Sequence, residues 1–209
     1  MLRVGLVGCG TIGQALALSL HRKHHRTARV VALHDERPDR ARRIQHRITP
    51  PPRICSIPAL IRSSHLVIEA ASQEAARQVV PAALRAHRSV LVMSVGGLLR
   101  DRSWQRIAHR SRGRVYVPSG ALAGLDGVKA MAMGRIRRIA LTTRKPPRAF
   151  AEAPYVTRRG LRLIGRRRPF VVFEGSATSA VRAFPQNTNV AATLALASGV
   201  PPSRVRVRV

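Results

Sequence analysis

The segment that most constrains the fold stands at the start of the chain. The apolar run Leu2 to Val7 (LRVGLV) leads without a break into Gly8-Cys9-Gly10-Thr11-Ile12-Gly13. A helical pattern follows from Ile12 to Lys23, with Ile12, Leu16 and Leu20 spaced four apart on its expected buried face. A strand, a G-x-G-x-x-G loop and an amphipathic helix, in that order, predict a Rossmann βαβ start. Each glycine has a physical reason: Gly8 permits the tight turn, Gly10 leaves the backbone open to a pyrophosphate, and Gly13 lets the helix pack on the strand. Thr11 and Ile12 fall in the first helical turn, whose unpaired N–H groups and partial positive charge attract phosphates. The predicted ligand is therefore a dinucleotide.

The next strand, Val30 to Leu33, ends at His34-Asp35. Asp35 lies where an acidic residue hydrogen-bonds the adenosine ribose. The alternative is an Asp that merely closes a strand. Asp35 favours NAD, whereas Arg37, two residues on, offers a partner for the 2′-phosphate of NADP, so the sequence leaves NAD or NADP open. Cys9 reads as a small filler in the turn.

Further along, a basic helix at Arg40 to Arg47 is broken by Thr49-Pro50-Pro51-Pro52. Leu66 to Ala70 and Val90 to Val95 read as strands, with a helix from Gln73 to Ala86 between them that Pro81 kinks or restarts. A helix around Trp104 to His109 leads to a last strand at Val115 to Val117. Such alternation predicts an α/β fold with a doubly wound parallel sheet. Ala71-Ser72 then sits at the end of a strand on the ligand-binding edge. The pattern changes near residue 120, which predicts a Rossmann domain over residues 1–119 and a smaller α+β domain over 120–209. In the second part Arg138 to Thr143, Phe170 to Phe173 and the strictly alternating Val205 to Val209 read as strands. Ser176 to Phe184 and Val190 to Ala197 read as helices. Aromatic residues make up only 3%, so the expected core is built from Val, Leu, Ile and Ala.

Charge is the unusual property. Lys plus Arg number 38 against 9 Asp plus Glu, a formal net charge of +29. Such a balance raises the question of a nucleic-acid partner. Yet the arginines are spread over the whole length, and no aromatic residues are interleaved to stack on bases. A compositional bias toward Arg is the favoured reading, and the dense run Arg166 to Arg168 is expected to be a solvated loop. The field should still draw anionic cofactors and substrates inward. Two cysteines, Cys9 and Cys55, form neither a disulfide framework nor a CxxC pair, which fits a cytoplasmic setting. No run approaches the length of a membrane helix, and no leader is expected before a strand that starts at residue 2.

Beyond the glycine loop, a series of motifs recurs in order. They are Glu69-Ala70-Ala71-Ser72, Val92 to Gly96 (VMSVG), Pro118-Ser119-Gly120-Ala121, Gly124-Leu125-Asp126, Thr143-Arg144-Lys145-Pro146-Pro147, Phe173 to Ala177 (FEGSA), Phe184-Pro185 through Asn187, and Asn189 to Thr193 (NVAAT). With GCGTIG they resemble the L-aspartate dehydrogenase family over nearly all 209 residues. The resemblance implies oxidation of L-aspartate to iminoaspartate with NAD or NADP, the product going toward NAD synthesis or to oxaloacetate and ammonia. Position by position, it places Ala121 and Asn189 against the cofactor. Asn also fills helix N-caps well, and that is the alternative for Asn189. Arg144 and Lys145 are candidates for holding a substrate carboxylate, with solvated surface charge as the alternative. No metal site is expected, and a homo-oligomer is one allowed state.

The resemblance also implies a catalytic histidine in an Asn-x-His motif after the strand that here reads VRVRV. The chain ends at Val209, ahead of that motif, and its histidines (His21, His24, His25, His34, His46, His65, His87 and His109) all fall in the Rossmann part. The catalytic residue is thus unassigned. The expectation is a truncated second domain and a chain that binds NAD(H) but turns L-aspartate over slowly or not at all. A non-catalytic NAD(P)-binding homologue and a basic nucleic-acid-binding protein are the alternatives.

Overall fold

The structure is a computed structural model and describes residues 1–150, 152–165, 168–185 and 188–209. Arg166, Arg167 and Asn187, named in the sequence reading, lie outside the described residues. The chain separates into two compact units, Met1–Pro118 and Ser119–Val209.

The first unit opens with β1 (Leu2–Val7), α1 (Thr11–Lys23), β2 (Ala28–His34), α2 (Pro38–Gln45), β3 (Arg53–Ile54) and α3 (Ile57–Ser63). It continues with β4 (Leu66–Glu69), α4 (Gln73–Arg85), β5 (Ser89–Val92), α5 (Gly96–Arg100), α6 (Ser103–Arg110) and β6 (Val115–Tyr116). The strands form one sheet in the order β3-β2-β1-β4-β5-β6, and every neighbouring pair is parallel. Helices cover a parallel sheet on both faces, which is why β1 and β4 read as unbroken apolar runs. Val4, Leu6, Val7, Leu33, Val67 and Val90 are all buried. The chain turns back between β1 and β4, and their carboxyl ends frame the crevice where ligands of such sheets bind.

Several details differ from expectation. α1 buries Gly13, Ala17 and Leu18, while Ile12 is 53% exposed and Leu16 and Leu20 pack at the core's margin. The helix phase is set by Gly13, whose Cα lies against the carbonyl of Gly8, so the residue four on, Ala17, faces the sheet. α4 runs through Pro81 to Arg85. The short β3 and α3 carried no periodic signal. The strand expected at Val90 to Val95 ends at Val92, and α5 begins at Gly96.

The second unit contains α7 (Leu125–Met131), β7 (Ala140–Thr142), a 3-10 turn (Pro147–Ala149), α8 (Pro154–Arg158), β8 (Glu174–Ser176), α9 (Ala177–Ala183), α10 (Asn189–Ser198) and β9 (Arg206–Arg208). Its sheet has the order β7-β9-β8, with β7 parallel and β8 antiparallel to β9. Val205 and Val207 are buried while Arg206 and Arg208 are exposed, as strict alternation requires. The strand expected at Phe170 to Phe173 is instead β8. Phe173 still exchanges hydrogen bonds with Val209, yet its neighbour Val171 is 44% exposed, and only Glu174 to Ser176 join the ladder regularly.

The core of this unit corrects the expectation of a purely aliphatic interior. Phe150, Tyr155, Phe173 and Phe184 form a cluster with ring centroids 5.4–5.5 Å apart, mostly edge to face. Few aromatics are present, but most of them are gathered here, where edge-to-face pairs add to simple burial. No helix is long and apolar enough to cross a membrane, and no cluster of metal-ligating side chains occurs among the described residues.

Candidate functional site

In the first unit, the carboxyl end of β1 passes into the glycine loop. Gly8 has φ +93°, and a Cβ there would sit 2.6 Å from the backbone of Ala70 and Ala71, so both the turn and the approach of β4 demand glycine. Gly13 is confined by the Gly8 carbonyl. Gly10 differs, since a Cβ added to it would meet no atom within 4 Å. The protein's own packing therefore does not require glycine at position 10, whereas a ligand backed onto the loop would. α1 begins beyond Gly10 with no side-chain cap and no acidic residue in its first turn, so its N-terminus is open to an anion. The cradle fits a dinucleotide pyrophosphate.

Asp35 lies at the carboxyl end of β2 and its carboxylate is tied into this loop. Oδ2 accepts the Cys9 N–H at 2.6 Å and Oδ1 accepts the Arg37 N–H at 2.8 Å. A carboxylate has about four lone-pair sites, so Asp35 retains capacity for ribose hydroxyls. Cys9 is buried, its thiol donates to the His34 carbonyl at 3.7 Å, and burial first and Asp35 second push its pKa up to about 12. Such a thiol is no nucleophile at neutral pH.

Ala71 and Ser72 reach the same edge at the end of β4. Both N–H groups donate to Glu69 Oε1, at 2.8 and 3.1 Å, and the Ser72 hydroxyl caps α4 by accepting the Ala75 N–H. These two residues therefore offer a ligand surface rather than free backbone donors. Glu69, named in the sequence only as part of a motif, is the side chain that holds this edge together. Fully buried, it also accepts the Ser94 N–H at 3.0 Å and the Ser94 hydroxyl at 2.9 Å, joining the ends of β4 and β5. Burial pushes its carboxyl upward against the pull of these hydrogen bonds. A lone Glu inside an apolar strand was the available signal.

In the second unit, Ala121 is exposed in the turn that follows Gly120. Asn189 is the first residue of α10, and Thr188 stands at the N-cap without a side-chain capping bond. Arg144 and Lys145 stand on the rim of a recess of about 440 Å³ floored by Phe150 and Leu163. Arg168, part of the run expected to be a plain solvated loop, is a third cation on that rim. Lys145 Nζ lies 5.9 Å from the Phe150 ring centroid. Lys145 also borders a cavity of about 30 Å³ with Thr188 and Val190, which brings it beside the start of α10. An apolar floor under three cations suits a small carboxylate.

Comparison with known proteins agrees with both halves. Residues 8–118 match the NAD-binding domain of homoserine dehydrogenase, and residues 126–209 match the C-terminal domain of aspartate dehydrogenase. L-aspartate dehydrogenase of Methanosarcina barkeri is 41% identical over all of this chain and 78% of its own length. The chain belongs to the L-aspartate dehydrogenase family. A bacterial member from Bradyrhizobium diazoefficiens is 35% identical, again over the whole of this chain and 73% of its own. The crystal structure of aspartate dehydrogenase from Thermotoga maritima superposes with a TM-score of 0.68 at 25% identity, covering all of this chain and 77% of that one. Family membership makes this protein an NAD(P)-dependent dehydrogenase.

Proposed function

We propose that this protein oxidises L-aspartate to iminoaspartate, with NAD or NADP taking up the hydride. Whole-chain identity of 41% to an L-aspartate dehydrogenase carries the substrate assignment. The open cradle at Gly10 supports the cofactor. In this reading Gly8, Gly10, Thr11, Ile12 and Gly13 receive the pyrophosphate, and Asp35 receives the adenosine ribose. Ala71 and Ser72 form the wall beside it, and the family resemblance assigns Ala121 and Asn189 to cofactor binding. Arg144 and Lys145 hold substrate carboxylates by charge-assisted hydrogen bonds, the geometry in which two carboxylates distinguish aspartate from monocarboxylic amino acids. Orientation of the substrate Cα toward the hydride acceptor is the contribution expected of such binding. No histidine follows His109, so the proton acceptor is not assigned to any residue here.

The test combines NADH fluorescence titration with initial rates of NADH formation from L-aspartate, L-homoserine and L-alanine. Saturable NADH binding with a slow rate, confined to L-aspartate, is the expected result. Turnover of another amino acid in preference would overturn the substrate. Tight NADH binding with turnover of none would replace this reading by that of a nucleotide-binding homologue. Absence of NADH binding would overturn the cofactor assignment.

A further inference from the structure

A second groove adjoins the glycine loop, between α1 and α2, with a volume of about 590 Å³. Cys9, Gly10 and Thr11 form one wall, and Arg40, Arg43 and Arg47 form the other. Arg40 and Arg43 are three apart and Arg47 follows four later, so one face of α2 and the turn after it presents all three guanidinium groups to the groove.

The three are not equivalent. Asp39 Oδ2 pairs with Arg43 at 3.1 Å and with Arg37 at 3.5 Å. The guanidinium of Arg37 is thereby engaged and 61% exposed, and it does not line the groove. Arg40 is half-buried, and its side chain has no hydrogen bond or ion pair among the described residues. Its guanidinium is thus free of protein acceptors where it lines the groove, and an anion there can take its donors.

Asp35 is linked to the same place through Cys9. Its bond to the Cys9 N–H ties the ribose-binding carboxylate to a residue that itself lines the groove. Through Cys9 the candidate ribose-binding carboxylate is next to the groove's lining. On a bare Asp a 2′-phosphate would be repelled. Here the Asp35 charge is already met by two backbone N–H groups, and three arginines lie beyond it.

Resting on the NAD(P) reading above, we propose that the groove between α1 and α2 binds the 2′-phosphate of NADP, and that Arg40, rather than Arg37, is the residue that sets affinity for NADP without affecting NAD. Arg43 and Arg47 supply the surrounding positive field, and the Thr11 hydroxyl is a further donor on the opposite wall.

The experiment measures binding by calorimetry at physiological ionic strength, with NADPH, NADH, 2′,5′-ADP and 5′-ADP as ligands. Wild type should bind 2′,5′-ADP more tightly than 5′-ADP. Arg40→Ala should weaken NADPH and 2′,5′-ADP by about tenfold or more, the effect of losing one charge-assisted contact, and change NADH and 5′-ADP by less than about twofold. Arg40→Lys should recover part of the loss. Arg29→Ala removes one charge from an exposed position on β2 and should change no ligand by more than about twofold. Equal weakening of NADH and NADPH in Arg40→Ala, or an Arg29→Ala loss as large, would overturn the proposal. NADH binding by a wild type that does not distinguish 2′,5′-ADP from 5′-ADP would overturn it while leaving the NAD(P) reading intact. Binding of neither dinucleotide would remove both.

Discussion

The two units solve the burial problem with different materials. The first stacks aliphatic side chains from a six-stranded parallel sheet and its helices, with Leu6, Leu33, Ile44, Leu60, Leu84 and Leu98 fully buried. The second has only three short strands and gathers Phe150, Tyr155, Phe173 and Phe184 into one cluster beneath alanine-rich helices. A long parallel strand must be apolar on both faces, so its whole sequence announces it. An aromatic cluster draws single residues from segments far apart, and no local period marks them. The comparison teaches that legibility in sequence follows the way a core is assembled, not how well it is packed.

The largest effect that would test this contrast is loss of a cluster centre. Phe184 touches the three other rings and is 1% exposed, so Phe184→Ala should cost about 3–5 kcal/mol. Leu33→Ala in the first unit should cost about 2–5 kcal/mol. The chain's single tryptophan, Trp104, belongs to the first unit and makes a selective reporter. In urea, Leu33→Ala should move the Trp104 midpoint more than Phe184→Ala does, and circular dichroism should record both losses. A Phe184→Ala cost under about 1 kcal/mol would mean that the aromatic cluster is not the core of its unit.

Within the first unit, two glycines separate ligand space from packing space. Gly10→Glu should abolish NADH binding and leave the thermal midpoint unchanged, because the added side chain enters open space. Gly13→Ala should lower the midpoint, because its Cβ collides with the Gly8 carbonyl. A Gly10→Glu variant that titrates NADH normally would show that the loop does not hold the pyrophosphate.

The smallest effect concerns Glu69 and pH. Burial raises its folded pKa above the ordinary value of 4.5, so the native state retains a proton that the unfolded chain has lost. Its contribution to stability is fully present below that ordinary value and declines as pH rises through the raised folded value. Glu69→Gln cannot titrate, so wild-type stability measured relative to this variant should fall across that window and be level on either side. A difference that instead grows with pH would mean that the hydrogen bonds from Ala71, Ser72 and Ser94 outweigh burial.

Much of the candidate site could be read from the chain alone where chemistry is concentrated in adjacent residues. The loop from Gly8 to Gly13, and Asp35 one strand later, follow from spacing, since backbone approach to a pyrophosphate leaves few residue choices. Glu69 and Arg40 are equally visible in the sequence, yet what each faces, Ser94 for one and the groove shared with Thr11 for the other, is brought near only by sheet order and helix packing. Arg37 and Arg40 look alike in sequence; Asp39 engages one and leaves the other to the groove. Likewise the apolar run of Phe170 to Phe173 resembles a strand, but the ladder forms one step later, where Glu174 to Ser176 meet β9.

By itself, the sequence determined the parallel α/β class, the glycine cradle, the alternation of Val205 to Val209 and the family, because each of these is written in contiguous residues whose spacing follows backbone geometry. Only the tertiary structure decided which face of α1 is buried, which arginines line a groove, how Arg144, Lys145 and Arg168 come to share one recess, and where four distant aromatic rings meet. Those outcomes depend on pairings across the fold, where the free energy lies in contacts between segments rather than in the preferences of any one of them.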